Sequence, residues 1–305
     1  MNILITGGAG YIGTELIRKI VERVAFDKII VYDNLSGGNR SLFTADIKLP
    51  KEKIQFIQGD ILDSRAFKKA LTGIDVVFHL AANVTTPFSD QNPHLFEQVN
   101  HWGTAEVCYA VEESDVKRFI HLSSVSVYGT SKKEKDINSS LSPRTFYGIS
   151  KMRAEKHVMR LMDKIDTYII RCGNVYGFSQ SMRFDAVINR FIFESNFFKR
   201  ITVHGNGEQK RPFIHIDRVS LLLAQFVHGN ILKGIFNLVD QNLAIGEIVE
   251  YLRVVYPDIE MLFVNQHMKM RELSVNPTSL IMDKIEDKKH DMVQELARFK
   301  DQFTF

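Results

Sequence analysis

The chain has 305 residues, with 39 Lys and Arg against 36 Asp and Glu, a formal charge of +3. That length can bury one large core or two, and the two signs are interspersed, which argues against a nucleic-acid partner. No apolar run approaches the roughly 18 residues of a membrane span, and the two cysteines, Cys108 and Cys172, supply neither a disulfide framework nor a metal set.

Ile3 to Ile5 form a short apolar run that reads as a buried strand. Gly7, Gly10 and Gly13 follow at once, and a helical pattern of Ile12, Leu16, Ile17, Ile20 and Val24 starts behind them. Strand, glycine turn and helix make a dinucleotide fingerprint. The glycines permit a tight turn, a close backbone approach to a pyrophosphate and close helix–strand packing, and the pyrophosphate lies at the positive helix N-terminus. Because this strand starts at residue 2, a cytoplasmic protein without a leader is expected, and both cysteines, in apolar stretches, read as small buried residues of a reducing compartment. A second strand, Lys28 to Tyr32, ends at Asp33, twenty residues after Gly13. A carboxylate there accepts hydrogen bonds from the adenosine ribose and repels a 2′-phosphate, which favours NAD over NADP. Arg40, close by, would soften that preference.

A third strand, Ile54 to Ile57, runs into Gln58-Gly59-Asp60-Ile61, and a fourth, Asp75 to Leu80, into Ala81-Ala82. A helix over roughly Pro93 to Ser114 carries Asn100, Trp102 and Gly103. A fifth strand, Lys117 to Ser123, is followed by a loop to about Pro143, whose charged run Lys132 to Asp136 reads as solvated. A helix from about Thr145 to Asp163 and a sixth strand, Thr167 to Arg171, come next. This alternation predicts an α/β protein with a doubly wound parallel sheet (a Rossmann fold) and helices on both faces.

Past Arg171 the rhythm breaks. A mixed region runs to about Pro212, and its aromatic stretch Phe191 to Phe198 reads as a helix end over a core or pocket. Further expectations are a strand at Phe213 to Asp217, a helix at Val219 to His228, a strand at Gly234 to Leu238, a helix at Ile245 to Tyr256, and a last helix near Asp287 to Phe299. No repeat or low-complexity linker separates the halves, so they pack together. Residues 1–173, with a returning segment about 213–239, are expected to form the NAD-binding domain. Residues 174–212 and 240–305 would form a smaller mixed α/β substrate domain. The cofactor would cross the carboxyl ends of the strands, with a second ligand in the cleft.

Tyr147 and Lys151 stand one turn apart on one helix face. A free tyrosine, with pKa near 10, is too weakly acidic to serve as a base at neutral pH; a neighbouring ammonium favours the phenolate, so Lys151 is expected to lower Tyr147. Ser124 ends the fifth strand, where its hydroxyl can reach a sugar hydroxyl or carbonyl. His79 and His215 read as structural.

These residues together resemble the extended short-chain dehydrogenase/reductases, and among them the nucleotide-sugar epimerases and dehydratases. The resemblance runs through Thr6 to Gly13, Asp33 to Gly37, Gly59-Asp60, His79 to Ala82, Val99 to Thr104, Ser123 to Gly129, Tyr147 to Lys151, Arg171 to Gly177 and Gly205 to Asp217, spanning about three quarters of the chain. It implies a catalytic set of Ser124, Tyr147 and Lys151. It implies NAD contacts from Gly7, Gly10, Tyr11, Ile12, Gly13, Asp33, Asn34, Asp60, Ile61, Ala81, Ala82, Asn100, Tyr147 and Lys151. The nucleotide-sugar contacts it implies are Thr85, Ser124, Asn174, Arg211 and either Lys269 or Arg271, with Arg271 preferred. Dehydratases and decarboxylases of the family carry an acidic residue or pair where this chain has Val125 and Ser126, and a reductase-type epimerase branch uses a cysteine about where Val125 stands. What remains resembles the UDP-galactose 4-epimerase type. The implied activity is NAD-dependent C4 epimerisation of a UDP-hexose or UDP-N-acetylhexosamine through a 4-keto intermediate. Alternatives are an NAD(P)H-dependent 4-keto-6-deoxysugar reductase and a non-catalytic NAD(H) sensor. A loose match near Asn276, with no aromatic from Gln266 to Lys284, leaves room for an N-acetyl group. A homodimer through the helices holding Asn100 and Tyr147 is implied as well.

Overall fold

The computed structural model describes residues 1–44, 48–84, 92–267, 270–279, 281–282 and 291–304. In chain order the first half contains β1 (Asn2–Thr6), α1 (Tyr11–Arg23), β2 (Lys28–Asp33), α2 (Ser41–Thr44), β3 (Ile54–Gln58), α3 (Ser64–Ala70) and β4 (Val76–His79). Next, α4 (Pro93–Phe96) runs through a π-helical turn, Glu97–Trp102, into α5 (Gly103–Glu112), and β5 (Arg118–Ser124) leads into a 3-10 turn, Val125–Tyr128. There follow β6 (Ser131–Lys135), α6 (Phe146–Leu161), β7 (Asp166–Cys172), β8 (Asn174–Tyr176), α7 (Val187–Phe198), β9 (Arg200–His204) and β10 (Lys210–His215). The remaining elements are α8 (Ile216–Gln225), β11 (Gly234–Leu238), β12 (Gln241–Ala244), α9 (Ile245–Val255), β13 (Glu260–Val264), β14 (Leu273–Val275) and α10 (Met292–Lys300).

Seven strands form one sheet in the order β11-β7-β5-β4-β1-β2-β3, every neighbouring pair parallel. Ile3, Leu4 and Ile5 are all fully buried, because β1 is central and covered on both faces. One face is closed by Leu16, Ile17 and Ile20 of α1 packed on Leu222 and Leu223 of α8, the other by Val107, Val111, Val158 and Leu161 of α5 and α6. The strand order reverses between β1 and β4, which opens the ligand crevice at their carboxyl ends. A third core, with Phe191, Ile192, Ile248, Leu252 and Leu296, lies among α7, α9 and α10.

The charged run expected to be a loop is β6. Its side chains at Lys132 to Glu134 are exposed, as the charges require, but its backbone pairs in parallel with β14, Leu273 opposite Ser131. That partner lies far along the chain, between the helices expected at Ile245 to Tyr256 and Asp287 to Phe299, so no local pattern announces the pairing. The expected single helix from Pro93 is interrupted by the π turn. The last helix begins at Met292, where Asp291 accepts from Val293 N at 2.9 Å, whereas residues 287–290 lie outside those described. The aromatic stretch does end a helix: Phe191 is buried in the third core, while Phe198 is 65% exposed. Among the described residues no helix is long and apolar enough to cross a membrane.

Candidate active site

The glycine turn sits where β1 hands over to α1, above the exit of β4. Gly7 has φ +68°, and a Cβ there would lie 2.7 Å from Ala81 N, so a side chain is excluded by conformation and by space. A Cβ on Gly13 would lie 2.5 Å from Gly7 O, which is the close helix–strand approach the fingerprint needs. Helix α1 starts on Gly10 without a side-chain cap, leaving its first N–H groups to the crevice. At the tip of β2, Asp33 accepts from Ala9 N at 3.0 Å and from Leu35 N at 2.8 Å, which fixes its carboxylate beside the turn. Asn34 Nδ2 donates to Asp60 Oδ2 at 2.9 Å, and Ile61 is buried against Gly103. Arg40 is exposed.

Asn100 lies fully buried in the π turn. Its Oδ1 accepts from Asn83 N at 2.7 Å, while its Nδ2 donates to Asn83 O at 2.9 Å and to Ser150 Oγ at 3.1 Å. It therefore ties the chain leaving Ala81 and Ala82 to α6, and the π turn is what aims it inward. His79 is a structural pin, as expected. Thr104 Oγ1 donates to Asn100 O, so it accepts from His79 Nε2 at 2.9 Å, and His79 Nδ1 accepts from Thr6 Oγ1 at 2.8 Å. Burial, aided by the Lys151 charge, pushes His79 down to about 3 and keeps it neutral.

Helix α6 is capped by Thr145, whose Oγ1 accepts from Gly148 N at 2.9 Å, and so its first turn presents Tyr147 to the crevice. The Tyr147 phenol is hydrogen-bonded to Ser124, and Ser124 Oγ accepts from Ser126 Oγ at 2.9 Å and Ser126 N at 3.2 Å. Ser124, Tyr147 and Lys151 thus share the carboxyl edge of the sheet. One expectation needs correction. Burial raises the Tyr147 pKa, and what opposes it is the Ser124 bond and the positive charge of Arg183. The Lys151 ammonium instead donates to Leu122 O at 2.9 Å; burial lowers it to about 8, with the Glu155 carboxylate pulling it back up.

Arg183 carries no spacing or motif in the sequence that would have marked it. It lies in the β8–α7 loop, in a bidentate pair with Asp185 at 3.0 and 2.5 Å. That loop is clasped to the glycine-turn helix: Tyr11 Oη donates to Gly177 O at 2.5 Å, and Thr14 Oγ1 to Ser181 Oγ at 2.9 Å. Asn189 completes the clasp, accepting from Gly177 N at 3.0 Å and donating to Arg183 O at 3.0 Å. The Tyr11 side chain is spent on this clasp, and Ile12 stays half-buried beside it.

On the opposite wall, Asn174 Nδ2 donates to Pro212 O at 2.9 Å, and Arg211 follows on β10. Burial and the neighbouring charge of Arg271 both lower the Arg211 pKa, so two guanidinium groups converge there. Such a pair attracts a diphosphate. Thr85 and Lys269 lie outside the described residues. Cys108 and Cys172 are free and buried, burial pushing both thiols up. Among the described residues no cluster of three His, Cys, Asp or Glu could hold a metal.

The family model of the NAD dependent epimerase/dehydratase family matches residues 3–237. The chain belongs to that family. Within it, the dTDP-D-glucose 4,6-dehydratase of Homo sapiens is 35% identical over 219 residues, covering 70% of this chain and 62% of that protein. An uncharacterized UDP-glucose epimerase of Bacillus subtilis is 33% identical over 221 residues, 71% of this chain and 69% of that protein. The match thus spans about three fifths of the human protein's length. In fold, the UDP-glucuronic acid 4-epimerase of Bacillus cereus, in complex with UDP-glucuronic acid and NAD, superposes with a TM-score of 0.84 at 24% identity, covering 99% of this chain and 98% of that one. Epimerases and dehydratases are therefore both close. The family's cofactor is NAD, and the residues here fit it: a turn kept tight because a Cβ at Gly7 or Gly13 would strike backbone, an uncapped helix start, and a fixed carboxylate at Asp33.

Proposed function

We propose that this family member epimerises a UDP-hexose or UDP-N-acetylhexosamine at C4, using resident NAD and a 4-keto sugar intermediate. The observation that carries the choice over dehydration lies at Val125 and Ser126. Eliminating water needs an acid and a base beyond the tyrosine. Val125 is apolar and buried, and Ser126 spends its hydroxyl on Ser124. In this reading Tyr147, assisted by Ser124, takes the proton from the sugar O4 and later returns it. Bound NAD would supply the acceptor for the C4 hydride and give it back. Lys151 holds positive charge beneath the phenol and the nicotinamide ribose. Asn174, Arg211 and Arg271 grip the diphosphate while the 4-keto sugar turns over. Residues 1–173 with 213–239 then serve NAD, and 174–212 with 240–305 the nucleotide sugar.

Arg183 favours a second substrate reading. Its charge is felt at Tyr147, where a sugar would lie, and a guanidinium there suits a carboxylate on the hexose. UDP-hexuronic acid therefore belongs beside the neutral sugars.

The purified protein should be incubated with UDP-glucose, UDP-N-acetylglucosamine and UDP-glucuronic acid, each without added cofactor, and followed by proton NMR. Appearance of a C4 epimer supports the proposal. A 4-keto-6-deoxy product would replace it with dehydration. A strict need for added NADH or NADPH would replace it with the reductase, and NAD retention with no turnover of any of the three sugars would favour the sensor.

The working form we propose is a homodimer. Leu95, Trp102 and Tyr109 along α4–α5 and Met159 on α6 are exposed, Trp102 at 53%. The charges flanking them are already paired within the chain, Glu97 with Arg153 and Glu112 with Arg160, each at 2.7 Å, so the apolar side chains are left as the contact. A twofold axis would bring this exposed apolar face of one copy against the same face of the other.

A further inference from the structure

Behind the site lies a buried ion pair that none of the roles above uses. Glu155 is fully buried on α6, one turn past Lys151, so Tyr147, Lys151 and Glu155 share a helix face. Its Oε1 accepts from Ser123 Oγ at 2.6 Å and from Arg171 Nε at 3.0 Å, and its Oε2 from Arg171 Nη2 at 2.8 Å. Arg171 Nη1 donates to Tyr128 Oη at 3.0 Å, and Tyr128 Oη to Asn237 Oδ1 at 2.8 Å. One cluster thus joins α6, β5, β7, the 3-10 turn and β11. A buried ion pair adds little net stability over an apolar replacement, so packing alone gives it no reason to be there. Its location does. Ser123 immediately precedes Ser124, so the helix that carries Tyr147 grips the strand end that carries Ser124 through Glu155.

We propose that Glu155 is a positioning residue for the reaction: through Ser123 it sets Ser124 against Tyr147, and as the anion facing Lys151 it keeps that ammonium charged. The other groups facing Lys151 are His79 on β4 and His121 on β5, both neutral through burial, and the Leu122 carbonyl. The charge of Arg171 on β7 is matched by its bidentate pair with Glu155. The proposal rests on Tyr147 and Lys151 carrying the proton chemistry.

Glu155→Gln keeps an oxygen for Ser123 and Arg171 and removes the charge. Lys151 can be titrated directly by NMR of protein labelled with carbon-13 at lysine Cε, its signal assigned with Lys151→Arg. Losing the nearby anion should move its midpoint down by about one pH unit. On whichever of the three UDP-sugars is turned over, the alkaline limb of kcat should move with it, kcat at pH 8 should fall about fivefold, and KM should stay within about twofold. Ser123→Ala should lower kcat about tenfold while leaving the limb in place. An unmoved Lys151 midpoint in Glu155→Gln overturns the inference, as does a loss confined to KM and NAD retention. If Glu155→Gln does not fold, the double variant E155Q/R171Q removes both buried charges; because the Arg171 cation goes too, a smaller downward movement is required of it, and none overturns the inference. A moved midpoint in a protein whose Tyr147→Phe variant still turns over would sink the catalytic reading and leave the electrostatic one standing.

Discussion

A phenol is a poor base at neutral pH, and burial makes Tyr147 poorer still. Ser124 and Arg183 are the groups that compensate. Arg183→Ala should therefore raise the Tyr147 pKa, and the acidic limb of kcat should move to higher pH, read from the pH profile on the neutral UDP-sugars. An unchanged limb would remove Arg183 from the proton chemistry. A second prediction concerns the buried imidazoles. His79 titrates near 3 in the fold against about 6.5 in the unfolded chain, and His121 is shifted the same way by burial. Both bind protons more readily when unfolded. Their contribution to stability is complete above pH 6.5 and is lost as pH falls from 6.5 toward 3, at up to about 1.4 kcal/mol per unit for each. Urea midpoints between pH 7 and 4.5 should fall accordingly, and His121→Phe, if it folds, should flatten part of the slope. Tyr147 and Lys151 were readable because their spacing is itself the chemistry; Glu155 and Arg183 were not, because a lone charge shows its partner only when distant strands and loops are brought together.

At the scale of elements, the glycine turn makes the strictest demand. Gly7→Ala would need a left-handed alanine and would press its Cβ against the β4 exit at Ala81. It should lose retained NAD, measured as nucleotide released on denaturation, and lower the melting temperature. Retention at the wild-type level would show that the turn can shift without cost to the crevice. Elements whose identity rests on local period were legible, including β1, α1, β5 and α6, since a continuous apolar run or a 3.6-residue stripe is set by neighbours in sequence. The pairing of β6 with β14 and the π turn were hidden. A parallel partner some 140 residues away leaves no local mark, and a single π turn inside an apolar helical period has no sequence signature of its own.

For the whole molecule, the dimer proposal predicts that Trp102→Glu, which sets a charge in the middle of the exposed face, yields a monomer by light scattering with NAD still bound. A wild-type protein that is already monomeric at micromolar concentration would dispose of the proposal. The broad plan, a doubly wound parallel sheet with helices on both faces, was legible from the order of motifs. The second wall was less so. Arg211 stood in a motif, whereas the resemblance left Arg271 beside Lys269 as alternatives; the fold brings the Arg271 charge up to Arg211, since β10 and β14 meet by tertiary packing.

The clasp of Tyr11 and Thr14 onto Gly177 and Ser181 joins the first helix of the nucleotide crevice to the β8–α7 loop. On the proposed function, NAD held beside this helix would be released only as the clasp loosens. A proposed epimerase with so slow a release would be insulated from the cell's ratio of oxidised to reduced pyridine nucleotide. Isotopically labelled NAD added to the working protein should enter it over many turnovers, and Thr14→Ala should hasten that exchange.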